Sequence, residues 1–313
     1  MYSKSNRIIS IFIILVMAMS FLFSFSGCAT IAWQLGFADD PHETTTEAES
    51  SRPTVKVLVK PGLTLLATAE LLEKKQVCSA SSFIEACQAM PDNYSTLLNG
   101  VTPENKIFLL EGYIYPNTYE FYIDDDPVRV LSIFLKTMNN KMSSIINQET
   151  YGFGGKSCYE RAAELDMTMA EVITLASVIQ SEANLNSDME GLAEMRKVSS
   201  VFHNRLDNPG KGFAYIGSDV TRQYIEVKMA DYIKKNGLDY NALFGAYCTN
   251  NGYDLKIKGL PRGPICNPTR AAIIAALWPE KTDYYFFFTD KDHKFHYYKE
   301  YKDFQNGVRE YGI

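Results

Sequence analysis

The sequence has no excess of positive charge. Its 313 residues include 31 Lys and Arg against 37 Asp and Glu, which gives a formal net charge of -6 at pH 7. Proteins that bind nucleic acids use clustered basic residues to neutralise phosphates. This chain has neither a net attraction to phosphate nor a basic stripe, so no nucleic-acid partner is expected.

Signatures of metal and cofactor sites are also missing. The four histidines are not spaced as a metal set, and there is no phosphate-binding loop, His-Glu-x-x-His motif or nucleophile elbow. Of the six cysteines, five follow Cys28. That number is odd and no Cys-x-x-Cys spacing occurs, so neither a zinc site nor a complete disulfide set is predicted. We therefore expect no metal and no cofactor.

One long apolar run lies near the N-terminus. Residues 8–25 carry no charge, which suits the thickness of a bilayer core, and Lys4 and Arg7 precede them. The positive-inside rule then places the rest of the chain outside the cytoplasm. Residues 1–33 are predicted to be a single-pass membrane anchor. The sequence Phe-Ser-Gly-Cys ending at Cys28 resembles a lipoprotein cleavage box, so a lipid on Cys28 is the alternative anchor.

Two segments follow the anchor. Residues 34–53 are rich in Thr, Glu, Ser and Pro without apolar periodicity, which indicates a solvated linker. Residues 54–107 begin with alternating valines and a Pro-Gly turn, and then predict helices over 65–72 and 82–88. This strand-turn-helix unit is similar to a LysM glycan-binding module. The alternative is a supporting subdomain.

Residues 108–313 are predicted to form a mixed α/β domain, which makes the whole chain α+β. The aromatic stretch at 110–121 contains Pro116-Asn117, and we expect it to run extended along the surface, with a core strand as the alternative. The acidic residues 124–126 predict the start of a helix over 127–142. Residues 284–289 predict a buried strand, and residues 290–293 predict the turn after it.

Glu182 is the strongest candidate for a catalytic group. Thr168 and Glu171 form a capping box that predicts a helix start, and Glu182 falls on the same face as Val178 and Ile179 by helical spacing. Burial beside aliphatic side chains raises the pKa of a carboxyl, as a general acid requires. The alternative is that Glu182 bends into solvent at a frayed helix end.

A second capping box at 187–190 predicts the next helix, which extends to about residue 206. Three polar residues close this helix, His203, Asn204 and Arg205. Their position in the last turn favours a structural role, because such side chains can hydrogen-bond terminal carbonyls.

Several motifs in order give the chain a family resemblance. The motifs that carry this resemblance are, in order, LEGYIYPNTYEF, TLASVIQSEA, VSSVFHNRL, IGSDVT, and GLPRGPICNP with WPEKTDYYFFF. From about residue 110 to the end, the chain resembles the YceG-like (MltG) family of endolytic murein transglycosylases. The resemblance implies that Glu182 is the catalytic residue. It also implies a set of substrate-binding residues, namely Tyr119, Asn204, Asp219, Thr221, Tyr253, Gly263, Pro264 and Asn267.

The resemblance further implies a reaction. Such an enzyme cleaves MurNAc-β-1,4-GlcNAc bonds of nascent peptidoglycan strands and leaves 1,6-anhydroMurNAc ends. One Glu acts first as the acid and then as the base. The cleavage is expected to terminate glycan elongation near peptidoglycan synthases. Two alternatives stay open. One is a hydrolytic muramidase that uses Glu182 and Asp219 as paired carboxylates. The other is a non-catalytic, glycan-binding envelope scaffold.

Overall fold

The computed structural model describes residues 52–148, 153–183, 191–211, 213–250 and 252–312. The predicted anchor, the lipidation candidate Cys28 and nearly all of the predicted linker lie outside these ranges. Within them, no helix combines the length and the apolarity needed to cross a membrane.

Short strands and many helices alternate along the described chain. They are β1 (Thr54–Val59), α1 (Leu65–Lys74), α2 (Ala80–Ala86), β2 (Asn117–Tyr122), α3 (Pro127–Ser143), β3 (Ile146–Gln148), β4 (Phe153–Lys156), α4 (Cys158–Glu164), α5 (Met169–Ala183), α6 (Leu192–Asp207), α7 (Asp219–Gln223), α8 (Ala230–Lys235), α9 (Tyr240–Tyr247), α10 (Arg270–Leu277), β5 (Phe286–Thr289), β6 (Phe295–Tyr298) and α11 (Tyr301–Tyr311). The first three predicted helices are confirmed as α1, α2 and α3. Asp126 caps α3 by accepting from the Val128 N–H at 3.0 Å, as expected of the acidic turn.

Strand β1 has the predicted alternation and pairs antiparallel with β2, with Val57 opposite Tyr119. Val57 and Val59 are buried, and the Tyr119 ring packs edge-on against Phe134 of α3 at 4.7 Å. This pairing joins the segment before residue 107 to the segment after it, and residues 54–313 form one compact unit. The glycan-binding role of a LysM-like module at 54–107 stays a prediction.

The expectation that the aromatic stretch runs along the surface is wrong. Tyr113 and Tyr115 are buried, and only the end of the stretch, β2, is a strand. At Gly112, φ is +84°, and an added Cβ would lie 2.5 Å from the Pro264 Cβ. The segment around Pro264 therefore covers the stretch, and this long-range contact buries the rings.

Helices α5, α6 and α10 form the centre of the molecule, with α10 against both of the others. The predicted capping box of α5 is confirmed: Glu171 accepts from the Thr168 N–H at 2.8 Å, and the Glu171 N–H donates to Thr168 Oγ1 at 3.2 Å. Instead of one apolar stripe, nearly the whole circumference of α5 is buried. The capping box predicted at 187–190 lies outside the described residues.

The C-terminal hairpin of β5 and β6 packs against α11. The turn at its tip is confirmed, since the His293 N–H donates to the Asp290 carbonyl at 3.0 Å. The strand predicted at 284–289 is present as β5, but the expectation that it is buried is only partly met. Phe288 is buried, whereas Tyr285 and Phe286 are only partly buried, because α11 covers Phe286 only with its first turn, through Tyr301 and Phe304.

Candidate active site

Glu182 lies in the last turn of α5. Its carboxyl is partly buried, and the Ser218 hydroxyl donates to Glu182 Oε1 at 2.6 Å. Ser218 itself is almost completely buried. Glu182 therefore does not extend freely into solvent, because a fixed partner holds one of its oxygens.

The environment favours the protonated form of Glu182. Burial raises the pKa of this carboxyl above its ordinary value, and the nearby negative charge of Asp219 raises it further. The Ser218 hydrogen bond and the positive charge of Arg205 act in the opposite direction but do not outweigh burial. A carboxyl that retains its proton in this way is suited to general acid catalysis.

A buried network of hydroxyl groups holds Ser218 in place. Thr221 Oγ1 donates to the Ser218 carbonyl at 2.7 Å and lies 3.0 Å from Thr249 Oγ1. The Ser218 N–H donates to Thr249 Oγ1 at 3.2 Å. Because both threonines are fully buried, the network can orient Ser218 with little freedom.

Charged and aromatic groups surround the mouth of the site. Asp219 follows Ser218, its side chain is 60% exposed, and Asn250 Nδ2 donates to Asp219 Oδ1 at 2.9 Å. Arg222 Nε lies 3.7 Å from Asp219 Oδ1, and the Arg222 guanidinium lies over the Tyr253 ring at 5.4 Å. Asp219 and Tyr253 thus belong to one surface.

Two depressions border the neighbours of Glu182. One has a volume of about 870 Å³ and includes Gly217 and Asn250 in its lining. The other has about 260 Å³ and is lined in part by Ser181 and Lys228. Glu182 itself is in the lining of neither depression, and each of them borders residues adjacent to it or to its partner Ser218.

The sequence pattern of the YceG-like family matches residues 38–310, which is most of the chain. The chain belongs to the YceG-like family. It is similar to an endolytic murein transglycosylase of Bacillus subtilis, with 30% identity over 216 residues that make up 69% of this chain and 52% of the relative. The chain thus spans about half the length of the curated relative that it matches.

The fold has a counterpart among solved structures. The crystal structure of a YceG-like protein from Listeria monocytogenes matches with a TM-score of 0.56 and 22% identity, over 83% of this chain and 77% of the other. The likeness shows that the two share a fold.

Several residues that the resemblance assigned to the glycan groove of this YceG-like protein lie elsewhere. Tyr119 is a core residue whose hydroxyl donates to the Tyr115 carbonyl at 2.6 Å. Asn204 Nδ2 donates to the carbonyls of Thr282 and Tyr284 at 3.1 and 2.8 Å, so it fastens α6 to the segment before β5. Thr221 is enclosed behind Ser218. Each of them has a structural contact in place of an open position.

The loop containing Gly263, Pro264 and Asn267 also faces inward. All three residues are buried, and Asn267 Oδ1 accepts from the Ile114 N–H at 3.2 Å. The preceding residues 257–262 line a separate cavity of about 700 Å³ near the start of α5, at the opposite end of that helix from Glu182. The loop nevertheless reaches the neighbourhood of the acid, because Cys266 Sγ lies 3.3 Å from the Oγ of Ser181, the residue before Glu182.

Sequence reasoning missed two residues. Ser218 lies within the IGSDVT motif, but nothing in that motif identifies its hydroxyl as the partner of Glu182, because the two residues are distant in sequence. Glu111 did give one, since it is a carboxylate inside an apolar and aromatic stretch. It is 1% exposed, accepts from the Leu65 N–H at 2.8 Å and the Tyr224 hydroxyl at 3.0 Å, and burial raises its pKa to about 7.

The described residues contain no group of three or more His, Cys, Asp and Glu side chains placed to hold a metal ion. In the same part of the chain, all five cysteines have free thiols.

Proposed function

We propose that this protein is an endolytic lytic transglycosylase, a lyase that cleaves MurNAc-β-1,4-GlcNAc bonds within peptidoglycan strands. The observation that carries the proposal is one partly buried carboxyl with a raised pKa that is hydrogen-bonded to Ser218, with two depressions bordering the residues next to it. Membership of the YceG-like family and the name of the Bacillus subtilis relative support it.

In the proposed mechanism, protonated Glu182 donates to the oxygen that links MurNAc C1 to GlcNAc C4, and the C1–O bond breaks. The muramyl C6 hydroxyl attacks C1, forms the 1,6-anhydro bond and returns its proton to the Glu182 carboxylate. No water is consumed, and Glu182 ends in its starting state. Because Ser218 binds Oε1, Oε2 is the oxygen that exchanges protons with the substrate.

Ser218 and Asp219 have distinct roles in this scheme. The Ser218 hydroxyl stabilises the carboxylate that exists between the two proton transfers, and it fixes the orientation of the carboxyl plane. Burial is the main cause that favours protonated Glu182 before the reaction, and the negative charge of Asp219 adds to it. The same proximity favours a second candidate function, a muramidase in which Asp219 activates water or stabilises the sugar cation.

The test compares wild type with Glu182→Gln, which keeps the shape of the side chain and removes the acid. Purified full-length protein is incubated with peptidoglycan strands, and the products are identified by mass spectrometry. Loss of a general acid is expected to lower the cleavage rate by about 10²- to 10⁴-fold. Glu171→Gln, at the other end of α5, is the matched control and should retain activity.

The chain ends in the digest separate the candidate functions. Anhydro ends support the transglycosylase, whereas reducing ends would identify a muramidase. Undiminished cleavage by Glu182→Gln would refute the role of Glu182. Glycan binding by the wild type without any cleavage would support the envelope scaffold.

We further propose that residues 1–33 hold the domain at the outer face of the cell membrane, by an uncleaved helix or by a lipid on Cys28. The uncharged run at 8–25 and its basic flank support this placement. Such a position suits cleavage of nascent strands beside peptidoglycan synthases and termination of their elongation. Intact mass of the protein extracted from membranes distinguishes the helix from the lipid, and a water-soluble protein would refute both.

A further inference from the structure

A groove lined by aromatic rings lies beside the catalytic centre. This aromatic groove, the depression of about 870 Å³, contains the side chains of Phe213, Tyr215, Tyr285, Phe286, Tyr301 and Phe304. Its volume is in the range of ligand-binding clefts. None of these residues has a part in the proton transfers proposed for Glu182.

The groove lies next to the residues that surround the acid. Gly217, which is in its lining, precedes Ser218, the residue that binds Glu182. Asn250, also in its lining, donates to Asp219 at the mouth of the site. The groove then extends to the start of α11, where Tyr301 is 56% exposed. One end of the groove is therefore adjacent to Ser218 and Asp219, the neighbours of Glu182.

The rings of the groove have an ordered arrangement. Phe213 and Tyr285 are stacked at 4.8 Å with 14° between their planes, and Tyr301 and Phe304 are stacked at 6.0 Å with 22°. Phe286 contacts Tyr301 at 5.4 Å and bridges the two pairs through its contact with Phe213 at 5.7 Å. The binding surface is thus formed before any ligand arrives, which lowers the entropic cost of binding.

The chemistry of the groove favours a sugar chain. A pyranose ring has apolar C–H faces that pack on aromatic rings, and hydroxyl and acetamido groups at its edge that need polar partners. The aromatic groove provides both, since Asn250, Lys299 and Glu300 lie along the same lining as the rings.

The apolar surface continues past the groove. Tyr301 and Phe304 also line a second depression of about 360 Å³, together with Gln305, Val308 and Arg309 on α11. The path from Glu182 is therefore longer than the first depression alone. A path of this length suits an enzyme that holds a strand at an internal position.

We propose that the aromatic groove binds consecutive sugars of the glycan strand on one side of the scissile bond, with Tyr301 as its exposed stacking platform. The inference rests on the proposed function and deepens it, because it names the surface that decides where along the strand Glu182 cuts. Tyr301 is a specificity-determining residue and takes no part in the chemistry.

Binding is measured by calorimetry with chito-oligosaccharides of increasing length, on the Glu182→Gln protein so that no ligand is consumed. Tyr301→Ala is expected to weaken binding of long oligomers by about 3- to 10-fold, the range for one aromatic contact, and to leave the disaccharide unchanged. Tyr301→Leu, which retains apolar packing against Phe286, should show the same loss. Tyr301→Trp should restore the affinity.

Tyr311→Ala is the matched control. Tyr311 lies at the other end of α11, is 41% exposed and is outside the aromatic groove. Thermal unfolding of each variant shows whether the fold is retained. Equal affinities for Tyr301→Ala, Tyr301→Leu and Tyr311→Ala would overturn the proposal, as would tight binding of a sugar-free stem peptide in the groove.

Cleavage assays separate this inference from the function on which it rests. In the catalytically intact protein, Tyr301→Ala should raise KM for long strands about 3- to 10-fold, leave kcat unchanged and alter the length distribution of products. If Tyr301→Ala cleaves normally with an unaltered KM, the proposal that the groove binds sugars is refuted, and the proposed function is unaffected. If the wild type binds oligosaccharides in a Tyr301-dependent manner but does not cleave strands, the proposed function is refuted, and the sugar-binding role of the groove is supported.

Discussion

Replacement of Glu111 by Gln tests whether its buried carboxyl is protonated in the folded protein. Glu111 is 1% exposed and joins the start of α1 to Tyr224 through its two hydrogen bonds. Burial is the main cause that raises its pKa from 4.5 to about 7, while hydrogen bonds from Leu65 and Tyr224 and the charge of Lys228 lower it in part. The cost of removing the carboxylate from water is therefore larger than the stabilisation that the hydrogen bonds and Lys228 give to the charged form.

The size of the change in the free energy of unfolding with pH follows from the linkage between protonation of Glu111 and folding. Below pH 4.5 both the folded and the unfolded chain hold the proton, so the group makes no pH-dependent contribution. Between pH 4.5 and about 7 the unfolded chain releases the proton first, and the free energy of unfolding falls as pH rises. At 1.36 kcal/mol per pKa unit, the loss is complete above pH 7 at about 3 kcal/mol.

Glu111→Gln is neutral at every pH and should remove this loss. The assay is urea unfolding of wild type and variant at a series of pH values from 4 to 8. Their difference in free energy of unfolding should change by about 3 kcal/mol in favour of the variant as pH rises. At pH 4 the two should differ by about 1 kcal/mol, since Gln can accept from the Leu65 N–H and donate to the Tyr224 hydroxyl.

Glu171→Gln, in the exposed capping box of α5, is the control for a Glu side chain that accepts local hydrogen bonds without being buried. A difference between wild type and Glu111→Gln that stays constant with pH would refute the argument. A difference that moves in favour of the wild type as pH rises would show that the hydrogen bonds and Lys228 outweigh desolvation.

Three further variants test the site and its support. Ser218→Ala removes a hydrogen bond that lowers the pKa of Glu182, so the alkaline limb of the kcat/KM profile should move to higher pH while kcat falls by about tenfold or more. Asp219→Asn removes a charge that raises that pKa, so the same limb should move to lower pH with anhydro products retained; nearly complete loss of cleavage would favour a muramidase. Gly112→Ala places a methyl group 2.5 Å from the Pro264 Cβ, at a residue whose φ is +84°. The free energy of unfolding, measured by urea titration, should therefore fall by about 2 kcal/mol or more. An unchanged unfolding midpoint would show that the Pro264 segment can shift.

Local sequence determined the helix that carries the acid. The Thr168 and Glu171 capping box sets the start of α5, and helical spacing then places Glu182 in its last turn beside the buried face. The same is true of β1 and of the hairpin turn at 290–293, because alternation and turn residues act over a few neighbours. Membership of the YceG-like family could also be predicted, since the motifs occur in order along the chain.

Tertiary structure alone decided which aromatic residues are enclosed and which are exposed. Aromatic side chains suit a core and a groove equally well, so the sequence could not tell that Tyr119 is enclosed by β1 and α3 while Tyr301 is exposed. The Ser218 hydrogen bond to Glu182 joins residues 36 positions apart, and it depends on how the hydroxyl network packs. Such contacts depend on the positions of whole elements relative to one another, which no local pattern encodes.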